Sequence, residues 1–198
     1  ATQGETLTAS NTLADADGMG AVSYQWYADG VAITGATAST FTLGQDQVGK
    51  AVTVKASYTD QQGTAELVSS SATAAIANVN DAPTGTVTIT GTATQGETLT
   101  ASNTLADADG MGTVSYQWYA DGVAIDGATA TTFTLGQAQV GKVITVKASY
   151  TDQLGTSEQV SSSATDAIAN VNDAPTGTVT ITGTATQGET LTASKTLA

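Results

Sequence analysis

Val114-Ser115-Tyr116-Gln117-Trp118-Tyr119-Ala120-Asp121-Gly122 is a strand and the turn that ends it. Val114, Tyr116 and Trp118 fall on one face and Ser115, Gln117 and Tyr119 on the other, the period-two alternation of a half-buried strand. Asp121-Gly122 closes the strand as a hairpin turn, because such turns need positive φ, which glycine adopts freely and aspartate tolerates. Val123–Ile125 is the short return piece.

The same nine residues begin at Val22, and the whole chain follows suit. The decapeptide Ala1–Ser10 recurs at Ala93–Ser102 and Ala185–Ser194, a period of 92 residues. Residues 1–92 and 93–184 differ at ten positions, among them Thr34/Asp126, Asp46/Ala138, Leu67/Gln159 and Ala74/Asp166. This period is too long for a solenoid unit and long enough for a self-sufficient domain. Residues 1–14 and 185–198 are the same part of the repeat, so both ends read as lying inside a domain and the chain as a window on a longer array.

The other segments of the second repeat also read as strands. Thr86–Thr90 puts Val87 and Ile89 on one face, Glu97–Ala101 does so with Leu99 and Ala101, and Thr132–Leu135 with Phe133 and Leu135. Val143–Thr151 alternates Ile144, Val146, Ala148 and Tyr150 against Thr145, Lys147 and Ser149, and Glu158–Ala164 turns Val160 inward. No segment of ten or more residues carries a helical period. About seven strands separated by regular turn signals predict an all-β fold, an antiparallel β-sandwich.

Composition removes several functions. The chain has 18 acidic residues, five lysines, no arginine, histidine or cysteine, and a net charge of −13. Repulsion argues against nucleic acid and anionic membrane as partners. Without histidine or cysteine there is no Ser-His-Asp triad, thiol nucleophile or disulfide, and no aromatic-lined cleft is legible around a carboxylate pair, so the chain reads as non-enzymatic. A surface of Thr, Ser, Ala and Gly with few charges suits salty water, where the Debye length is short; an extracellular or cell-surface location is expected, without direct membrane insertion.

Ser115–Gly122 resembles the third strand of an immunoglobulin-like domain, in which a tryptophan fills the space between the sheets, and Leu135–Val146 resembles the run from fifth to sixth strand. Val146 stands about where the second cysteine of antibody domains would be, so apolar packing replaces that bridge. The unit with its Asn170-Val171-Asn172-Asp173-Ala174-Pro175 junction resembles the immunoglobulin-like and cadherin-like repeats of giant bacterial surface adhesins of the RTX type. The resemblance implies tandem immunoglobulin-like antiparallel β-sandwich domains in an end-to-end array. Residues 1–80 would be a repeat lacking its first strand, 81–172 a complete repeat, and 173–198 the first two strands of a third.

The resemblance also implies a junction. In that topology the linker Asn78–Asp81, the loop Asp107-Ala108-Asp109-Gly110 and the turn Thr151-Asp152-Gln153 meet at one pole, facing Glu5 of the preceding repeat. Calcium takes six to eight hard oxygen ligands, which carboxylates and Asn supply. Carried over from cadherin junctions, Glu5, Asn80, Asp81, Asp107, Asp109 and Asp152 would ligate calcium at the first junction. Glu97, Asn172 and Asp173 would begin the second, and Asp15, Asp17 and Asp60 would await a linker upstream. Ala82 departs from the cadherin signature. The plainer reading stays open: Asp-Ala-Asp-Gly is also a good turn.

Three functions follow as expectations. The first is a structural extender of an adhesin, stiffened by calcium, whose partners are the neighbouring repeats and whose distal ligand the sequence does not name. The second is a filament or sheath subunit joined head-to-tail to other copies by strand donation. The third is a carbohydrate- or protein-binding repeat acting through avidity.

Overall fold

A computed structural model describes residues 1–197 of the chain. The first repeat forms β1 (Thr6–Thr8), β2 (Ser23–Ala28), β3 (Val31–Ala32), β4 (Thr40–Thr42), β5 (Val52–Thr59) and β6 (Ala65–Ser69). The second forms β7 (Val87–Thr90), β8 (Thr98–Asn103), β9 (Ser115–Ala120), β10 (Val123–Ala124), β11 (Thr132–Thr134), β12 (Ile144–Thr151) and β13 (Ser157–Ser161). A last hairpin pairs β14 (Val179–Thr182) with β15 (Thr192–Lys195). The described residues contain no α-helix, only two single 3₁₀ turns at Gln45–Gln47 and Gln137–Gln139. No helix among them is long and apolar enough to cross a membrane.

The architecture is therefore all-β, built of several antiparallel sheets. In the first repeat β1 pairs with β4, and a second sheet runs β3-β2-β5-β6; the second repeat has the orders β11-β8-β7 and β10-β9-β12-β13. Both sheets of the first repeat feed one apolar core. Leu7 and Phe41 come from one sheet, Tyr24, Trp26, Val52 and Val54 from the other, with Leu43 and Ile76 between them. Trp26 stacks on Phe41 with ring centroids 5.7 Å apart, and its indole N–H donates to the Ala38 carbonyl, so the one polar atom of the plug is satisfied. In the second repeat Trp118 repeats both contacts, with Phe133 and the Ala130 carbonyl. Burial alternates along β12, where Ile144, Val146, Ala148 and Tyr150 are buried and the residues between them are not.

The two hairpin aspartates adopt the left-handed conformation their turns require, Asp29 at φ 45° and Asp121 at φ 48°. Their side chains also accept the backbone N–H of Ala51 and Val143, which occupies them as turn residues. The chain leaves the first repeat through Ile76 and Ala77, fixed by parallel bridges to Val48 and Thr2. This places Asn78–Asp81 directly after an anchored segment.

By contact density the chain divides into two compact units. The first comprises Ala1–Thr86 with Asn103–Ser115 and Ala148–Val160; the second comprises Val87–Ser102, Tyr116–Lys147 and the residues from Ser161 onward. The division runs along β9 and β12 rather than at the repeat boundary. The first unit thus holds a complete linker, the Asp107–Gly110 loop and the turn after β12. The core of the second unit is centred on Leu99, Trp118, Leu135 and Ile144, all almost fully excluded from solvent.

Candidate metal centre

Within the first unit, β12 ends at Thr151 and the chain turns back through Asp152–Thr156 into β13. The turn is held by Asp152 itself, whose Oδ1 accepts the backbone N–H of Leu154 and Thr156 at 2.9 and 2.8 Å. The Asp107–Gly112 loop lies against this corner. A Cβ on Gly112 would stand 2.1 Å from the Thr151 carbonyl oxygen, so only glycine permits the approach. Gln153 N–H donates to the Gly110 carbonyl and fastens the loop there.

The loop is also shaped from within. Asp107 Oδ1 accepts the Asp109 N–H at 2.9 Å, an Asx turn, and its Oδ2 accepts the Tyr150 hydroxyl at 2.6 Å. The result gathers three carboxylates: oxygens of Asp107, Asp152 and Glu158 lie within 4.8 Å of one another. Asp152 is 5% exposed, and its Oδ2 is buried without any hydrogen-bond partner. Burial pushes the Asp152 pKa up, but the backbone donors of Thr156, Leu154 and Gly155 outweigh it and hold the group below its ordinary value. One oxygen of this buried carboxylate is thus left unsatisfied.

The same construction recurs in the first repeat. Asp15, Asp60 and Glu66 meet within the same limit, Tyr58 donates to Asp15 Oδ2 at 2.9 Å, and Asp60 Oδ1 accepts the N–H of Gln62 and Thr64. The Tyr58 phenol is pushed up to about 12, chiefly by its hydrogen bond to Asp15 and then by burial. For Tyr150 burial comes first and the Asp107 bond second, and the shift goes the same way.

Asp109 and Asp81 behave differently. Asp109 is 4% exposed, and both its oxygens are taken: Oδ1 by the Gln45 side-chain amide at 2.9 Å, Oδ2 by the Asp81 backbone N–H at 2.8 Å. Asp81 Oδ2 accepts from the Gln3 side chain at 2.9 Å, and Gln3 Oε1 in turn accepts the Val79 N–H. Asn80 donates to Glu158 Oε1 at 2.8 Å. First repeat, linker and loop are therefore tied by side-chain hydrogen bonds. Two further buried acceptors lack partners, Gln45 Oε1 and Asn78 Oδ1.

Of the residues the sequence nominated for the first junction, the structure brings Asp107 and Asp152 together, places Asp81 and Asp109 beside each other, and sets Asn80 against Glu158. Glu5 joins neither carboxylate group; it is exposed, and its Oε2 accepts the backbone N–H of Thr2. Asp15 and Asp60 meet, whereas Asp17 is exposed and donates its N–H to Asp15. In the second unit Glu97, Asn172 and Asp173 are all exposed; Asp173 accepts from the Gln95 side chain at 3.1 Å, and Asn172 donates weakly to the Asp173 carbonyl. Glu158 and Glu66 escaped the sequence reading. For Glu158 a signal was present: it stands two residues before the half-buried Val160 and so on the same face of its strand; Val68, two residues after Glu66, is exposed.

The three carboxylates can hold a metal ion; their chemistry suits a hard divalent cation rather than a soft one. No protein-family model matches the chain, and no curated protein sequence matches it.

Proposed function

We propose that this chain is a non-enzymatic extender segment: a run of tandem immunoglobulin-like β-sandwich repeats, of the kind found in bacterial surface adhesins, whose junctions are stiffened by calcium outside the cell. The observation that carries this reading is the hydrogen-bonded set Gln3–Asp81–Asp109–Gln45, which makes the linker part of a compact unit instead of a free tether. The adjoining carboxylates supply a place for calcium, and a cation bound only by the ordered form stabilises it by about 4 kcal/mol at thousandfold excess over its dissociation constant. Near-identical repeats give length without variety, which suits spacing better than recognition.

Small-angle scattering of the chain in millimolar calcium and again in chelator tests this. The extender reading expects a particle that keeps its folded sheets in chelator but becomes more flexible. Identical profiles in the two conditions would remove calcium from the mechanism.

Strand donation is favoured by one separate feature. In the first repeat a groove of about 240 Å³ runs between Ser10–Leu13 and Val68–Ser70, over Tyr24 and Val54. Thr178–Thr182, identical in sequence to the Thr86–Thr90 strand, leaves Val179 and Ile181 about 70% exposed, whereas Val87 is buried. In the second repeat the strand of this sequence, β7, pairs with β8, and the matching place beside the groove is where we put a strand donated by another copy. Sedimentation tests it: concentration-dependent growth abolished by V179D/I181D supports donation between copies, and a monomer at all concentrations excludes it.

A further inference from the structure

We propose that the second repeat and the linker after it form a socket for an Asp-Ala-Asp-Gly loop, and that its occupant is the Asp15–Gly18 loop of a second copy of this chain. This goes beyond the extender reading, needs no metal, and is a different contact from strand donation.

The same socket is engaged in the first unit. There the Gln45 amide and the Asp81 backbone N–H hold Asp109, the second aspartate of its loop, at 2.9 and 2.8 Å. Asn80 donates to Glu158 Oε1 at 2.8 Å. Donors of one repeat and its linker thus read two carboxylates of the next, and hydrogen bonds to ionised acceptors are the strong kind. Gln3 sets the linker in place, donating to Asp81 Oδ2 and accepting the Val79 N–H.

The second unit builds the same donors. Gln95 donates to Asp173 Oδ2 at 3.1 Å and accepts the Val171 N–H at 3.2 Å, so this linker is set in the same way. Gln137 opens the same 3₁₀ turn as Gln45. Yet Gln137, Asn172 and Asp173 are all exposed, and among the described contacts no carboxylate of another repeat meets Gln137, Asn172 or the Asp173 N–H. Ala138 stands where the first repeat has Asp46, which removes a like charge one residue from the glutamine that reads the loop.

The Asp15–Gly18 loop already has the shape of the seated one. Asp17 N–H donates to Asp15 Oδ1 at 2.9 Å, as Asp109 does to Asp107. Gly18 N–H donates to the Asp15 carbonyl at 3.2 Å, and Gln61 N–H fastens the loop through the Gly18 carbonyl, the bonds that Gly110 and Gln153 make in the second repeat. Asp17 is exposed, its carboxylate has no partner among the described contacts, and Glu66, the counterpart of Glu158, is half-buried on β6. Seated on another copy, Asp17 would accept from Gln137 and the Asp173 N–H, and Glu66 from Asn172. Both surfaces are preformed, so little ordering cost opposes the contact. It is heterologous, so copies add one after another. Within one chain a short linker supplies an effective concentration of the order of millimolar, so between free copies the same contact is weak.

The test is sedimentation of the whole chain in chelator, at concentrations reaching the order of millimolar. Wild type should gain mass with concentration. D17A lacks the loop carboxylate and Q137A the socket amide, both at exposed positions, and each alone should stay monomeric, with circular dichroism as the check on folding. Mixed in equal amounts they should form a dimer and nothing larger, since D17A keeps its socket and Q137A its loop. V179D/I181D should associate like wild type. A wild type that is monomeric at every concentration, undiminished growth in D17A and Q137A, or a mixture that stays monomeric would overturn the proposal. Growth abolished by V179D/I181D but not by D17A would overturn it in favour of strand donation. Chelator keeps calcium out of every arm, so none of these outcomes bears on the stiffening, which the scattering comparison tests by itself.

Discussion

The loops Asp15-Ala16-Asp17-Gly18 and Asp107-Ala108-Asp109-Gly110 have one sequence and two environments. Their first aspartates are alike: each accepts a tyrosine hydroxyl and the N–H of the second aspartate. Their second aspartates are not. Asp17 is exposed, while Asp109 is 4% exposed and bound by Gln45 and Asp81. Nothing in the tetrapeptide makes this difference; Gln45 and Asp81, which hold Asp109, do. The first aspartate thus belongs to its repeat and the second to the junction, which are separate duties within four residues.

The severest way to break this comparison is to remove one repeat's core. Trp118→Ala deletes a fully buried indole stacked on Phe133 and should destabilise the second repeat by about 3–5 kcal/mol. Trp26 then remains as the sole tryptophan and reports the first repeat alone in a urea titration followed by fluorescence. Its midpoint should move little. A fall in the Trp26 transition as large as that seen by circular dichroism would mean that the first aspartate's environment is not repeat-autonomous.

A smaller and more direct effect separates the second aspartates. Asp109→Ala strands the Gln45 amide and the Asp81 N–H without acceptors in a part-buried setting, which should cost about 1–3 kcal/mol. Asp17→Ala, on an exposed residue whose side chain has no such partners among the described contacts, should stay within about 0.5 kcal/mol. Denaturant midpoints measured on both variants decide it. Equal losses would show that the loop, rather than the junction, sets the burial of Asp109.

These contrasts explain what was legible in the sequence. The strands were, because alternation such as Ile144-Thr145-Val146 is a local property, and so was the Asp121-Gly122 turn, whose φ angles only a few residues accept. The meeting of Asp107 with Asp152 was legible through the sandwich topology. The junction's real partners were not. Gln3 and Gln45 lie far from Asp81 and Asp109 along the chain, and an amide side chain in a turn carries no periodic mark. Glu5 was placed at the junction by analogy, while in the structure the nearest donor, its own Thr2 N–H, holds it. Glu158 was legible by parity on its strand, since it shares the half-buried face with Val160, but a single carboxylate on a short strand carries no mark of the two loop aspartates it meets.

The smallest expected effect is on pH dependence, and it should be the same in both loops. Tyr58 and Tyr150 have phenols raised above the ordinary value of 10, by the carboxylates they donate to and by burial. The fold therefore favours the protonated phenol. Below pH 10 that preference contributes fully to stability. As pH rises through 10 toward the folded value, about 12 for Tyr58, the unfolded chain has released its proton and the folded chain has not, so stability falls. Tyr58→Phe and Tyr150→Phe should each flatten the alkaline decline of the melting temperature. Asp152 acts at the other end with the opposite sign. Its pKa is held below 3.8, so its contribution is present above that value and is lost as pH falls beneath it, and Asp152→Asn should flatten the acid limb. If only Tyr150→Phe changed the alkaline limb, the first aspartates would differ between repeats as the second ones do, and the division of duties within the loop would fail.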